Sequence, residues 1–328
     1  KRQFCGKRDH GFPLRCGVFV PALQVWFCGI VPRFRPEEKA RGAPEKGKCE
    51  KGRFFGKDGA MKKELIFLGT GEAMVTKCYH ACFAMRTGRE CMLVDAGGGN
   101  GILARLEQAG MSVDGIDALF LTHIHTDHLL GAIWLLRDIG QKAMQGQYNG
   151  HLTVYGHDGV ISALGELCRI LFSEKLLQAL WKAADFCAVT DGQKVQMQDK
   201  TVRFFDIHST KIRQFGIRVT FADGTTLAYL GDEPLHAACR AQAEGVDWLI
   251  SEAFCLYEEA DVFKPYDISH STALDAANAA KAVGAKNLIL THTVDNDLKN
   301  RKARYAQEAK SAFEGSVLVP DDLERITL

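Results

Sequence analysis

Four apolar stretches of this chain finish alike: "ALFLTHIHTDH" (118–128), "TVRFFDIH" (201–208), "TTLAYLGD" (225–232) and "KNLILTH" (286–292). Each reads as a strand built from strand-forming residues, with His or Asp at its end. Any fold this chain adopts must therefore let donors from distant strands reach one pocket.

The first stretch carries the densest cluster. His123 and His125 are two apart, so in extended backbone they project to the same side. Asp127 and His128 follow at the mouth of an apolar helix, "HLLGAIWLL". A cap made by Thr126 or Asp127 would be routine there, but it accounts for one residue of the four. Three histidines within six residues point instead to metal, since neutral imidazole is the commonest protein ligand. His208, Asp232 and His292 would each pass singly for a core histidine or a turn aspartate; together they repeat the placement of the first cluster. Five imidazoles and two carboxylates suit two zinc-like ions, because one catalytic zinc usually takes three protein ligands. Asp232, with two oxygens, is the natural bridge. Two ions about 3.5 to 4 Å apart can share a hydroxide nucleophile and hold the oxygens of a phosphodiester. The chemistry implied is hydrolysis.

The remaining pattern frames this site. Apolar runs at 64–69, 90–97, 116–123 and 151–156 read as strands, with helices near 99–109 and 128–138 between them. Helical segments near 158–183 precede strands at "FCAVT", "KVQMQ", "TVRFFDIH", "GIRVTFAD" and "TTLAYLGD", with "DG" turns at 191–192 and 223–224 that suit hairpins. Helix and strand then alternate again through 233–243, "DWLISEA", 271–283, "KNLILTH", 297–313 and "SVLVP". Two mixed sheets with helices on their outer faces satisfy this order. No internal repeat stands out.

Residues 1–60 hold 14 Lys/Arg against 6 Asp/Glu, leaving 27 against 34 for residues 61–328. They contain no methionine and no sustained apolar period, whereas "MKKELIFLGTG" from Met61 reads at once as a strand entering a glycine turn. Residues 1–60 are thus expected to be upstream sequence or a poorly ordered basic extension, ahead of a hydrolase domain over 61–328; a nucleic-acid- or lipid-binding arm is the functional alternative. The 11 cysteines are scattered without a CxxC, which fits reduced thiols in the cytoplasm. No run of about 18 or more apolar residues appears; the nearest candidate, "CGVFVPALQVWFCGIVP" (16–32), is interrupted by Pro21 and only faintly imitates a signal peptide.

With these residues in view, "HIHTDH" resembles the HxHxDH signature of the metallo-β-lactamase superfamily, and the likeness runs from Met61 to near the C-terminus. It implies an α/β fold, a four-layer αββα sandwich with a dinuclear zinc site at one edge of the sheets. "FLGTGEA", "VDAGGG", "YLGDE", "LISEAF", "HSTALDAANAA" and "LILTH" occur in the order seen in ribonuclease Z, the tRNA 3′-processing endonuclease. By that resemblance His123, His125 and His208 bind one zinc, Asp127, His128 and His292 lie at the other, and Asp232 bridges. Mn²⁺ or Fe²⁺ are the alternative metals. Asp127 would also orient or deprotonate the attacking water, and His270 paired with Glu252 would donate a proton to the leaving oxygen. The bland reading of His270 is a residue at a helix start capped by Ser271 or Thr272.

The resemblance implies a phosphodiester substrate such as a tRNA 3′ end, no membrane, and a homodimer as one assembly. Two features depart from it. Ribonuclease Z of the short form inserts a tRNA-gripping arm between the third histidine and the bridging aspartate, whereas here 23 residues lie between His208 and Asp232, enough for two strands and a turn. The basic spots are short: "TKIR" (210–213) and "KNRKAR" (299–304), the latter reading as a solvated helix face. The helical segment 156–186 is expected to cover the site and limit substrate size. A small phosphodiester, such as a cyclic nucleotide, and another ester are therefore the alternative substrates, and a non-catalytic binding module is the remaining reading.

Overall fold

The computed structural model describes residues 62–328, so the extension expected over residues 1–60 lies outside the described residues. Along the chain come β1 (Lys63–Gly69), β2 (Cys82–Thr87), β3 (Glu90–Val94), α1 (Gly101–Gln108), β4 (Ala118–Phe120), α2 (Thr126–Met144) and β5 (Leu152–Gly156). Next are α3 (Asp158–Leu171), α4 (Glu174–Ala183), β6 (Ala184–Ala188), β7 (Lys194–Gln196), β8 (Lys200–Asp206), β9 (Phe215–Phe221) and β10 (Thr226–Tyr229). The chain continues through α5 (Arg240–Ala243), β11 (Trp248–Glu252), α6 (Ala260–Phe263), α7 (Ala273–Ala282), β12 (Asn287–Thr291), α8 (Leu298–Lys310), β13 (Ser316–Leu318) and β14 (Arg325–Thr327).

The strands form two seven-stranded sheets, ordered β14-β1-β2-β3-β4-β5-β6 and β13-β12-β11-β10-β9-β8-β7. Each has an antiparallel part and a parallel part: β3 to β6 run parallel in the first sheet, β10 to β13 in the second. Parallel neighbours need crossovers, and the helices supply them. The sheets are therefore topological copies of one another, a repeat that the residue pattern hides.

Alternation along β1 explains the layering. Leu65 and Phe67 join the apolar layer shared with Phe204, Phe215 and Ile250 of the second sheet. Ile66 and Leu68 face the other way, against α1 and α2 residues such as Ile102 and Leu136. A sheet buried on both faces needs apolar residues at consecutive positions, hence the unbroken runs. The second sheet is covered likewise by α7 and α8, through Ala276, Ala280 and Tyr305. The result is the expected αββα sandwich. A buried charged group bridges the two sheets where β3 and β8 begin: Lys200 Nζ donates to Glu90 Oε2 at 2.6 Å and lies 3.5 Å from Asp199 Oδ1, the lysine fully buried.

Several elements differ from the sequence reading. β2 and β14 were not expected; both extend the antiparallel part of the first sheet. The helical segments near 158–183, by contrast, are present as read, as α3 and α4, with Ser173 capping α4 through the Leu176 N–H. Of 233–243 only Arg240–Ala243 is α-helical, with Pro234 near its start. The turn at 191–192 closes no hairpin: β6 pairs with β5 in the first sheet and β7 with β8 in the second, so the chain crosses between sheets there. The "DG" turn at 223–224 does join paired strands, β9 and β10. Finally, 156–186 does not cover the site, because Leu164, Cys168, Leu176 and Leu180 bury it in the first sheet's helix-side core.

Candidate metal centre

The donors converge where the ends of β4, β10 and β12 meet. Leaving β4, the chain enters α2 directly, and His125 at the helix N-cap position makes no side-chain cap. Thr126 and Asp127 are the first helical residues, so the capping alternative fails and Asp127 is free to turn toward the cluster. At the end of β10, Gly231 adopts a left-handed φ of 79°, and a Cβ there would overlap Gln214 Oε1. Only glycine lets the backbone deliver Asp232 beside that amide.

Asp232 sits at the centre. Its Oδ2 lies 3.5 Å from His123 Nε2, 3.9 Å from His125 Nδ1, 3.8 Å from His128 Nε2 and 4.0 Å from His292 Nε2. Asp127 Oδ2 is 3.1 Å from His128 Nε2 and 3.5 Å from His292 Nε2. Two three-donor groups result, His123–His125–Asp232 and Asp127–His128–His292, each with its ligand atoms within 4.8 Å of one another. A third, Glu252–His270–His292, adjoins them.

His208 is the exception. Its side chain is exposed, its backbone is left-handed with φ 60°, and its N–H donates to Asp206 Oδ1 at 2.8 Å. The turn that follows β8 thus leaves His208 outside the three groups.

A supporting set, which the sequence reading did not single out, fixes the cluster. Asp95, fully buried after β3, contacts His128 Nδ1 at 2.8 Å and accepts from the Thr122 N–H at 2.9 Å. Thr122 Oγ1 contacts His123 Nδ1 at 2.8 Å. Gln214 Nε2 donates to Asp232 Oδ1 at 2.5 Å and Gln214 Oε1 accepts the Asp232 N–H at 2.8 Å. Histidines that bind metal through one nitrogen usually engage such a partner through the other. The only available signal for Asp95 was its place in "VDAGGG".

Electrostatics couple the cluster. Burial would raise the Asp127 carboxyl, but His128 and His292 outweigh it and hold it well below the usual carboxylate range. Burial likewise opposes ionisation of Asp232, and His123, His125 and His128 overcome it. Burial and neighbouring His128 push His123 well down, which keeps its imidazole neutral. His128 Nε2 and both ring nitrogens of His292 are buried without a hydrogen-bond partner. Buried polar atoms in folded proteins are almost always paired, so these ring nitrogens, beside the carboxylates of Asp127 and Asp232, fit a divalent cation.

His270 stacks between Phe254 and His292, with ring centroids 4.8 and 5.2 Å away. Its Nδ1 is 3.6 Å from Glu252 Oε2, near enough for an ion pair and too long for a hydrogen bond. Glu252, fully buried, instead accepts from the Ser271 N–H and hydroxyl at 2.8 and 2.5 Å. Thr272, one residue on, forms the capping box of α7 with Asp275. Thr272 thus caps the helix, as the bland reading of this stretch expects, while Ser271 holds Glu252 and His270 lines the cavity over the cluster.

A cavity of about 710 Å³ opens over the cluster, lined by His125, Asp127, Asp232, His270 and His292 on its floor. Ile124, Ile212, Phe254, Phe263 and Ile268 make its walls largely apolar. The basic spots are mostly engaged elsewhere. Arg301 is buried and donates to Thr70 and Thr293 hydroxyls and to Asp321, so "KNRKAR" is not a solvated face throughout. Arg304 pairs with Glu258 and Glu259 at 2.7 and 2.8 Å, and Arg213 with Asp158 at 2.5 Å.

An αββα sandwich with clustered His and Asp at the strand ends defines the class: a metallo-β-lactamase-fold protein with a site suited to divalent metal. The chain belongs to the beta-lactamase superfamily domain family, whose model matches residues 91–293. Among curated proteins it is similar to a ribonuclease Z of Nocardia farcinica, 26% identical over 307 residues that span 81% of this chain and 98% of that protein. Among solved structures it resembles the metallo-β-lactamase-fold protein YhfI of Bacillus subtilis (TM-score 0.65, 22% identity, 81% of this chain and all of that one). It also resembles the short form of human tRNase Z (TM-score 0.62, 22% identity, 80% of this chain and 98% of that one).

Proposed function

We propose that this chain is a metal-dependent phosphodiester hydrolase of the ribonuclease Z kind. One observation carries the reading: Asp232 Oδ2 faces four imidazoles within 4.0 Å, and Asp127 shares two of them. His123, His125 and Asp232 would hold one zinc ion; Asp127, His128 and His292 would hold the other, with Asp232 reaching both. Two divalent ions bound there would supply Lewis acidity toward phosphoryl oxygens and a nucleophile at neutral pH.

The protein's own groups do the rest. Asp127, kept ionised by its histidines, can accept a hydrogen bond from an attacking water and orient it. His270, clamped between two rings at the cavity floor, is placed to give a proton to a departing alkoxide. Glu252, anchored by Ser271, lies with Oε2 3.6 Å from Nδ1 and orients the ring for that role.

Likeness to proteins named ribonuclease Z favours a tRNA 3′ end as substrate. A small phosphodiester such as a cyclic nucleotide is the second reading, favoured by the apolar cavity walls and by β9 and β10 filling the span from His208 to Asp232. The free thiols of the seven described cysteines fit a reducing compartment, the cytoplasm. No described helix is long and apolar enough to cross a membrane.

The test is cleavage of a precursor tRNA with a 3′ trailer by zinc-loaded protein, beside bis(p-nitrophenyl) phosphate, with Asp127→Ala and His270→Ala as controls. Cutting after the discriminator base, lost in both variants, supports tRNA processing. Hydrolysis of the small diester alone supports the second reading, and inertness toward both refutes the proposal.

A further inference from the structure

We propose that Lys211 is the cation that holds a phosphoryl oxygen of the substrate, and that it makes this site prefer anionic diesters to neutral esters; the inference rests on the phosphodiesterase reading above. Lys211 lies in the turn between β8 and β9, four residues from any strand. Its backbone is pinned: Ser209 Oγ accepts the N–H groups of Lys211 and Ile212 at 3.2 and 3.3 Å and donates to Glu233 Oε1 at 2.5 Å. Glu233 is itself fully buried and contacts His236 Nε2 at 2.9 Å, so the turn rests on a fixed post.

From that turn the side chain reaches the cavity. Its Nζ lies 3.4 Å from His270 Nε2, 3.9 Å from Asp232 Oδ2 and 3.8 Å from Glu233 Oε1. Both carboxylates attract the ammonium, yet neither stands at hydrogen-bond distance. An ammonium has three donors; neither carboxylate is close enough to take one, and His270 Nε2, at 3.4 Å, takes one only while that nitrogen carries no proton. Carboxylate attraction therefore sets the direction of the charge, and N–H groups remain for an incoming acceptor.

The surroundings say which acceptor. Among the described residues lining the cavity Lys211 is the one Lys or Arg, while Glu72 and Asp295 bring negative charge to it. A neutral ester gains little from such a point charge, whereas the non-bridging oxygen of a diester forms a charge-assisted hydrogen bond. The ester group then falls against Ile124, Ile212, Phe263 and Ile268. The ligand class is a phosphodiester with one phosphate at the centre and an apolar or flat substituent on the wall.

The experiment uses the zinc-loaded full chain as wild type, Lys211→Met and Lys211→Arg, with rates normalised to bound metal. Bis(p-nitrophenyl) phosphate and the neutral p-nitrophenyl acetate are compared by kcat and KM, and phenyl phosphate binding is titrated by calorimetry. Lys211→Met is expected to weaken phenyl phosphate binding about 10- to 100-fold and to lower kcat/KM for the diester by a similar factor. That loss should exceed the loss on the acetate at least about tenfold, with Lys211→Arg recovering part of it. Equal losses on both esters, or phenyl phosphate affinity within about twofold of wild type, would overturn the assignment. A wild type that hydrolyses no diester would sink the proposed function instead, and the phenyl phosphate titration would still decide Lys211.

Discussion

Gln214 grips Asp232 at both ends of its amide: Nε2 donates to Oδ1 at 2.5 Å, and Oε1 accepts the aspartate's N–H at 2.8 Å. This leaves Oδ2 pointing at the four histidines. Gln214 is fully buried and sits one residue before β9, so the second sheet itself fixes the aspartate. Replacing it by alanine should keep the fold and weaken zinc binding by about 10- to 100-fold, the usual cost of losing a ligand's supporting partner. Competition with a chromogenic chelator measures this directly; unchanged affinity would mean that Asp232 needs no support.

Asp95 does for His128 what Gln214 does for Asp232. Asp95→Asn should lower zinc affinity by about 10- to 100-fold. Asp95→Ala should in addition cost about 1–3 kcal/mol of folding stability, because the His128 Nδ1 and the Thr122 N–H lose a buried partner. Chemical denaturation of the two metal-free variants separates these effects.

His208 and His125 make opposite predictions. The exposed ring of His208 stands outside the donor groups, so His208→Ala should leave zinc stoichiometry unchanged. His125→Ala should lose the ion that His123, His125 and Asp232 would hold. Equal loss in both would mean that metal draws the His208 turn inward.

The Lys200–Glu90 pair predicts a stability effect remote from the site. Glu90→Ala leaves the fully buried ammonium with Asp199 alone, 3.5 Å away, and should cost about 1–3 kcal/mol. The double variant Lys200→Met, Glu90→Leu should recover much of that loss. Urea melts of the three proteins check it; a single variant as stable as wild type would show that the lysine finds another partner.

How much of this was legible depends on where the information lies. Donors that cap apolar strands are local in sequence, so six of the seven expected ligands come together in the structure, as do His270 and Glu252. His208 stands outside the three donor groups because its direction is set by a left-handed backbone and a turn, which strand periodicity does not report. Asp95 and Gln214 were missed for a related reason: each acts on a residue far along the chain, 33 positions for Asp95 and His128. The β6–β7 crossing was hidden since a "DG" turn looks the same whether its strands pair or part. The lining of the cavity was equally unreadable, because 156–186 and 254–268 are both rich in apolar residues and only the tertiary fold decides which one reaches the site.

The central claim is that two donor groups, sharing Asp232, hold two ions. Elemental analysis of metal-stripped protein reloaded with zinc and freed of excess tests it most directly, run beside Asp232→Asn. The account predicts about two zinc ions per wild-type chain and one or fewer in the variant. One ion or none per wild-type chain, or two retained without the Asp232 carboxylate, would contradict it.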